Sequence, residues 1–188
     1  MGKIISFSGA QSSGKTTLLN ICQRQSCEVL SPFNGYGFVP EVTRLIKNKY
    51  NLPINESGTD ITQLCIINQH IDNYLTYQDK NVIMDRCILD GLVYTEYLVE
   101  MNQVDGRVLD FARYIYDMLI TKIDVIFYTD PAIPLIDDGE RSIDVDFRNS
   151  IIDKFNFYIK SLNNVIKLSG SVEDRLDKIK RTLILNNE

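Results

Sequence analysis

The sequence predicts an α/β fold in which helices cover both faces of a parallel sheet. Short apolar runs rich in β-branched residues alternate along the chain with longer stretches of helical periodicity. Several of these runs end in or beside an acidic residue, and in open α/β sheets the carboxyl ends of strands are where ligands bind. No linker, repeat or low-complexity tract divides the 188 residues, so we expect residues 1–188 to form one domain.

Buried apolar runs predict the strands of this sheet. Most are assigned directly: Lys3–Ser8, Asn81–Asp85, Asp124–Thr129 and Val165–Leu168. The second strand has two candidate positions, Cys27–Leu30 and Gly37–Pro40, because both are suitable and the turn-rich segment Ser31–Gly35 separates them. We favour Gly37–Pro40, which completes a five-stranded sheet.

The helices are marked by apolar residues at helical spacing and by capping residues. The clearest helix covers Thr59–Tyr77, and an earlier one covers about Lys15–Gln23. A third is predicted over 107–120, and Ser171 with Asp174 resembles a capping box for the last helix. Between these elements, residues 131–148 combine proline, glycine and acids without a regular period, so we expect a mobile loop there.

Composition excludes several classes of protein. Lys and Arg number 20 against 25 Asp and Glu, and the net charge of −5 argues against a general nucleic-acid coat while leaving a local basic groove open. The apolar runs are far shorter than the roughly 20 residues that cross a bilayer. We expect no membrane partner and a cytoplasmic location. The four cysteines lack metal-site spacing and are expected to be reduced thiols.

One glycine-rich segment carries the strongest chemical signal. Gly9–Thr16 matches the pattern G-x-x-x-x-G-K-[ST] and lies between the first predicted strand and the first predicted helix. Backbone N–H groups and the helix N-terminus of such a loop bind phosphates. Lys15 would reach the β- and γ-phosphates, Thr16 would hold Mg²⁺, and Thr17 could touch the α-phosphate. The predicted nucleotide-binding residues are Gly9, Gln11, Ser12, Ser13, Gly14, Lys15, Thr16 and Thr17, with ATP and Mg²⁺ as the cofactors.

Acid and arginine residues follow two other strands. Glu41 comes just after the second strand with Arg44 three residues later, and Asp85 and Arg86 follow the third. An acid that orients an acceptor hydroxyl beside a guanidinium that stabilises phosphoryl charge suits a kinase. The alternative for Glu41 and Arg44 is an ion pair on a helix surface.

Four segments together resemble a known family: GAQSSGKTTL, VPEVTR, MDRCILDGLVY and DDGERS. They are similar to the small P-loop nucleoside kinases, most closely the nicotinamide riboside kinase-like domain of bacterial NAD-biosynthesis proteins and many phage proteins, and the related deoxynucleoside kinases. The resemblance implies a three-layer P-loop fold with a lid at about 131–148. It also implies that Glu41 is the base, that Asp85 and Arg86 form the acid–arginine pair, and that Arg141 and Arg148 are lid arginines.

The metal and substrate residues complete this hypothesis. Thr16 and Asp85 are the predicted Mg²⁺ ligands. The helix over 59–77 occupies the place where nucleoside kinases read the base, and its amides could bind a base edge or simply face water. The predicted substrate residues are Glu41, Arg44, Gln63, Gln69, Asp85 and Arg86.

The leading hypothesis is an ATP- and Mg²⁺-dependent kinase acting on a hydroxyl of a nucleoside or nucleotide. One alternative is a phage-type kinase that phosphorylates a hydroxymethylated base or a sugar hydroxyl in DNA. Another is a regulatory switch that binds ATP with little turnover. The sequence leaves open which acceptor is used and whether the chain forms a homodimer.

Overall fold

The computed structural model of the chain describes residues 2–131 and 144–185 and contains a five-stranded parallel sheet. The strand order is β2-β3-β1-β4-β5, and every neighbouring pair is parallel. The strands are β1 Ile4–Ser8, β2 Gly37–Val39, β3 Val82–Asp85, β4 Val125–Thr129 and β5 Val165–Leu168. The fold class predicted from the sequence is confirmed.

Helices connect the strands and form the outer layers. They are α1 Lys15–Gln25, α2 Val42–Tyr50, α3 Asp60–Tyr77, α4 Ile88–Glu100, α5 Gly106–Leu119, α6 Val145–Ile159 and α7 Val172–Leu185, with 3₁₀ turns at Asn55–Ser57 and Ile120–Lys122. Among these helices, none is both long enough and apolar enough to traverse a bilayer.

The core lies on both faces of the sheet, because successive strand residues point to opposite sides. Ile4 and Met84 belong to the larger cluster, which α3, α4, α5 and α6 cover. Ile5 and Phe7 belong to a second cluster, which α1 and α7 cover. All five residues of β1 are buried, as expected of a central parallel strand. The result is a three-layer domain with the carboxyl ends of the strands along one edge.

The second strand is Gly37–Val39, the favoured of the two candidate positions. Gly37 pairs with Val82 and Val39 with Met84, so this segment extends the sheet beyond β3. The rejected segment ends in turns, and its Val29 and Leu30 side chains are 86% and 97% exposed.

The predicted mobile loop is wrong at its carboxyl end. Residues 145–148 are the start of α6, because the Asp144 side chain accepts the N–H groups of Asp146 at 2.8 Å and Phe147 at 3.0 Å. Arg148 is therefore a buried helical residue, and its guanidinium donates to the Pro131 carbonyl at 2.7 Å. Residues 132–143, which include the predicted lid residue Arg141, lie outside the described part of the chain.

Candidate active site

The loop over residues 9–14 joins β1 to α1, and two of its glycines adopt backbone angles that other residues rarely adopt. Gly9 has a φ of +138° and Gly14 a φ of +88°, which L-residues with side chains rarely adopt. A Cβ on Gly9 would also lie 2.8 Å from the Thr129 Oγ1 atom. Both fixed glycines of the phosphate-binding pattern are therefore required by this loop's geometry.

Side chains from other strands and helices hold the same loop. The Ser13 and Thr129 hydroxyls lie 2.6 Å apart, and Thr129 also donates to the Ser8 carbonyl at 3.2 Å. The Gly9 N–H donates to Asp90 Oδ1 at 3.4 Å. Contacts from β4 and α4 thus fix the P-loop from two directions.

Lys15 folds back over the P-loop. Its ammonium donates to the carbonyls of Gly9 at 2.8 Å and Ala10 at 2.7 Å, and to the Ser13 hydroxyl at 3.2 Å. Burial, followed by repulsion from Arg86, lowers the pKa of Lys15 to about 7, although three nearby carboxylates oppose the shift. An anion placed in this loop would reverse that shift by favouring the charged ammonium.

Two buried polar atoms of the P-loop suit a phosphate ligand. Within residues 2–131 and 144–185, Gln11 Nε2 and Ser12 Oγ have no hydrogen-bond partner. Both groups can donate, and buried donors are normally satisfied. Thr16 is half-buried beside them, whereas Thr17 is exposed. The orphaned donors, the left-handed glycines and Lys15 together fit the phosphates of a nucleotide. We call residues 9–17 the nucleotide side.

A network of charged side chains lines the same cleft as the P-loop. Arg86, which follows β3, contacts Glu41, which precedes α2, at 2.7 Å, and Asp90 in α4 at 3.1 Å. Glu41 also contacts Arg44 at 3.1 Å. Arg86 reaches the Gly9 carbonyl at 3.4 Å, so the network touches the P-loop. We call Glu41, Arg44, Arg86 and Asp90 the acceptor side.

Arg86 is held in a strained conformation. Its φ is +75°, in the left-handed region that costs a non-glycine residue about 1–3 kcal/mol and that clusters at functional sites. Its N–H donates to the Phe7 carbonyl at 2.9 Å, which anchors this conformation to β1. The guanidinium lies 5.4 Å from the centre of the Tyr94 ring, and the Tyr94 hydroxyl donates to Gln11 at 3.2 Å. Tyr94 and Arg86 therefore join the two sides of the site.

The two acids predicted from the sequence have opposite electrostatic environments. Burial favours a higher pKa for Glu41, but the charge and hydrogen bond of Arg86 outweigh it and hold the pKa below its usual value. Burial and then repulsion from Glu41 raise the pKa of Asp85 to about 6. Asp85 Oδ1 is buried and makes no hydrogen bond in the described residues. Glu41 is thus held in its ionised form. Asp85 is a weaker acid than usual, and one of its carboxylate oxygens has no partner among the described residues.

One cleft lies between the two sides. Its lining includes these predicted site residues: Gln11, Ser12, Ser13, Gly14, Lys15, Thr16, Glu41, Arg44, Asp85 and Arg86. They come from the P-loop and from the carboxyl ends of β2 and β3, which parallel pairing places at one edge of the sheet.

A second pocket adjoins this cleft at Arg86 and lies between α3 and α4. Gln63 lines it and accepts a hydrogen bond from Thr95 at 3.0 Å. His70 also lines it, and burial together with the charge of Arg86 lowers the His70 pKa to about 3, so the imidazole is neutral at physiological pH. Gln69 is not among the residues lining this pocket and donates to Asp72 at 3.1 Å and to Asn73 at 3.0 Å on its own helix.

A short segment that fits the guanine-reading pattern of GTPases lies at the wrong end of the sheet. Thr121–Asp124 has the letters of N/T-K-x-D. Asp124 precedes β4, and its carboxylate accepts the Ile4 N–H at 2.7 Å, where β1 begins. The P-loop follows the other end of β1, so this segment cannot contact a base bound there.

The sequence reasoning missed several residues of this site: Asp90, Tyr94, Thr129 and Arg175. Asp90 could have been identified from the sequence. It lies four residues after Arg86, which is one helical turn, and Arg86 directly follows a predicted buried strand. Thr129 contacts the Ser13 hydroxyl, and Arg175 in α7 donates to the Ser13 carbonyl at 2.9 Å. Both are distant in sequence from the P-loop, and only the fold brings them to it.

A family model described as an AAA domain matches residues 4–175. The chain belongs to this AAA domain family. Comparison with curated protein sequences finds no match for it.

Solved structures share the fold of this AAA domain. A NadR protein in complex with NR superposes with a TM-score of 0.72 at 17% identity, over 99% of this chain and 51% of that one. A NadR protein in complex with NAD and AMP-PNP gives 0.69 at 16% identity, over 98% and 49%. Deoxyadenosine kinase from M. mycoides, with products bound, gives 0.70 at 16% identity, over 97% and 98%. The AAA domain thus spans about half of the NadR chains and has a nucleoside kinase-like P-loop fold.

Proposed function

We propose that this protein is a kinase that transfers the γ-phosphoryl group of ATP to a hydroxyl of a nucleoside or nucleotide. The observation that carries the proposal is that a phosphate-binding loop with its lysine and an ionised carboxylate held by arginine line the same cleft. A protein that only senses ATP needs the first of these features but has no use for the second.

The nucleotide side supplies binding and charge. The N–H groups of the P-loop and the amino end of α1 point at the phosphates, and Lys15 leaves the Gly9 and Ala10 carbonyls to contact the β- and γ-phosphates. Gln11 and Ser12 donate to the same group. Phosphoryl transfer depends mainly on positioning and electrostatic stabilisation, which this arrangement provides.

The acceptor side orients the hydroxyl. Arg86 keeps Glu41 ionised, so the Glu41 carboxylate can accept a hydrogen bond from the acceptor hydroxyl. It can then take the hydroxyl proton as the oxygen bonds to the γ-phosphorus and ADP leaves. The low pKa of Glu41 suits this role, since a loose transition state demands orientation more than a strong base. Arg86 fixes the carboxylate and, with Asp90 behind it, stays in the site as a phosphate-facing charge.

Thr16 and Asp85 would hold Mg²⁺. The buried Asp85 Oδ1 atom without a partner fits a cation, and both residues line the cleft. Within the described ranges no group of three or more His, Cys, Asp or Glu could hold a metal by itself. Mg²⁺ is often bound by one or two carboxylates together with substrate phosphates and water. When bound, Mg²⁺ would supply positive charge that offsets the negative charge of the phosphates.

The pocket between α3 and α4 is the proposed site for the ring of the acceptor. It adjoins the main cleft at Arg86, and its lining combines the Gln63 amide with the Tyr94 ring. An amide can pair with a polar ring edge and an aromatic residue can stack on it.

The test is ADP release with Mg²⁺–ATP and a panel of acceptors. The panel contains ribonucleosides, deoxynucleosides, nicotinamide riboside, mononucleotides and DNA oligonucleotides with and without a hydroxymethylated base. We expect strong stimulation by a free nucleoside or nucleotide, with mass spectrometry showing a phosphorylated product. Stimulation only by oligonucleotides would replace this proposal with the DNA kinase alternative, and tight ATP binding without stimulation by any acceptor would favour the regulatory switch.

A further inference from the structure

Arg175 is a buried arginine outside the acceptor side. It belongs to α7, near the carboxyl-terminal end of the chain, and is only 3% exposed. Its guanidinium donates to three backbone carbonyls: Gly170 at 3.0 Å, Ser13 at 2.9 Å and Asp130 at 3.4 Å. These carbonyls lie in the loops that follow β5, β1 and β4.

The guanidinium of Arg175 has an unusual environment. In the described part of the chain no acidic side chain lies within ion-pair distance of it, and buried charges are costly unless they are paired or well hydrogen-bonded. Three diverging carbonyls match the planar fork of an arginine, whereas a lysine would present a single point of attachment. The charge is therefore stabilised by backbone dipoles of the loops around the nucleotide side.

The contact with Ser13 bears directly on phosphate binding. A loop whose N–H groups point inward at an anion has carbonyls that point outward, and those carbonyls need partners. Arg175 provides one for Ser13, while the Ser13 side chain is held by Thr129. Both the backbone and the side chain of Ser13 are thus fixed by residues from the far half of the sequence.

We propose that Arg175 is a positioning residue for the P-loop: it fixes the Ser13 peptide so that the loop is formed before ATP arrives. The expected effect on nucleotide affinity rests on the proposed function, because it assumes that the loop binds ATP. The expected effect on the loop itself does not. Pre-organised binding groups lose less freedom on binding, so loosening this peptide should weaken nucleotide affinity.

The experiment compares the wild type with Arg175→Ala and Arg175→Lys. Arg181→Ala, on an exposed position of the same helix, is the matched control. Calorimetry measures the affinity for AMP-PNP with Mg²⁺, and hydrogen exchange measures protection of residues 9–16 without nucleotide. We expect Arg175→Ala to lose about tenfold or more in affinity and to exchange faster in the P-loop, since the Ser13 peptide loses its charge-assisted hydrogen bond and must be ordered when the nucleotide binds.

Methylguanidinium should restore part of the lost affinity of Arg175→Ala, and Arg181→Ala should match the wild type. Arg175→Lys keeps the charge and most of the stem, so it tests the same point if the alanine variant does not fold. A lower melting temperature with unchanged AMP-PNP affinity and unchanged P-loop exchange, in either variant, would reduce Arg175 to a purely structural residue and overturn the inference. Absence of AMP-PNP binding by the wild type would instead defeat the proposed function, and the exchange measurement would still decide the role of Arg175.

Discussion

The two sides of the cleft are built by different means. The nucleotide side is a continuous segment of backbone, residues 9–17, whose shape is set by two glycines and whose lysine lies in the same segment. The acceptor side consists of charged side chains from α2, α4 and the loops that precede them, with Arg86 between Glu41 and Asp90. The first side depends on local geometry, whereas the central Glu41–Arg86 ion pair of the second side depends on the pairing of β2 with β3.

This difference determines how each side should respond to change. The nucleotide side, which consists mainly of backbone groups, is altered mainly by loss of the Lys15 charge or of the contacts that hold the loop. An ion-pair network is altered by any substitution that leaves a buried partner charge uncompensated. We therefore expect substitutions on the nucleotide side to affect ATP binding and turnover together, and substitution of Glu41 on the acceptor side to affect turnover alone.

Replacement of Lys15 should have the largest effect. In Lys15→Ala the charge aimed at the β- and γ-phosphates is lost, so phosphoryl transfer should fall below detection and AMP-PNP affinity should drop. The fold should persist, because the lysine contacts only P-loop atoms. ADP production, calorimetry and circular dichroism measure these three quantities. Lys178→Ala, on an exposed position of α7, is the control, and near-normal turnover of a folded Lys15→Ala protein would remove the P-loop from the mechanism.

Asp85 tests whether the boundary between the two sides holds a metal ion. Asp85→Asn keeps the size of the side chain but removes its charge, so the Mg²⁺ concentration for half-maximal activity should rise about 10- to 100-fold. Titration of ADP production with Mg²⁺ measures this shift, with Asp177→Asn on an exposed position of α7 as the control. An unchanged Mg²⁺ titration would assign Asp85 to the acceptor side as an alternative base.

A smaller effect is the uptake of protons by Lys15 when AMP-PNP binds. The pKa of Lys15 is about 7 in the nucleotide-free protein, and contact with phosphates should raise it. Above pH 7 the free protein loses this proton while the complex retains it, so AMP-PNP binding should take up as much as about one proton and weaken as pH rises. Calorimetry at pH 8 in two buffers of different ionisation enthalpy measures the uptake. The Lys15→Ala variant should lack this component; equal uptake in both proteins would contradict the assignment.

The loop and helix start at residues 9–17 could be predicted from the sequence because their pattern is local. The spacing of Gly9, Gly14 and Lys15 predicts the loop from the local sequence. The strands were also assigned closely, since their apolar runs are short and bounded. Positions 145–148 were misassigned because the N-cap contacts of Asp144 were not recognised in a polar stretch.

The acceptor side could be predicted only in part. Glu41 and Arg86 were each identified beside the end of a strand, but their contact at 2.7 Å across 45 positions depends on the pairing of β2 with β3. The sequence alone suggested Arg44 as the partner of Glu41, and the structure adds Arg86 as a second, more buried one. Arg175 and Thr129 were missed for the same reason, because their contacts with Ser13 are set by topology and not by spacing.

The central claim is that the two sides act separately, with ATP bound on one and the acceptor hydroxyl oriented by Glu41 on the other. The most direct test is Glu41→Gln, with the exposed Glu28→Gln as control, assayed for ADP production with the acceptor found in the panel and for AMP-PNP affinity by calorimetry. Glutamine keeps the size of the side chain and removes the basic carboxylate. We predict a kcat lower by roughly 10²- to 10⁴-fold and an AMP-PNP affinity within about twofold of the wild type. Equal turnover in the two proteins, or a loss of AMP-PNP affinity that matches the loss of turnover, would contradict the account.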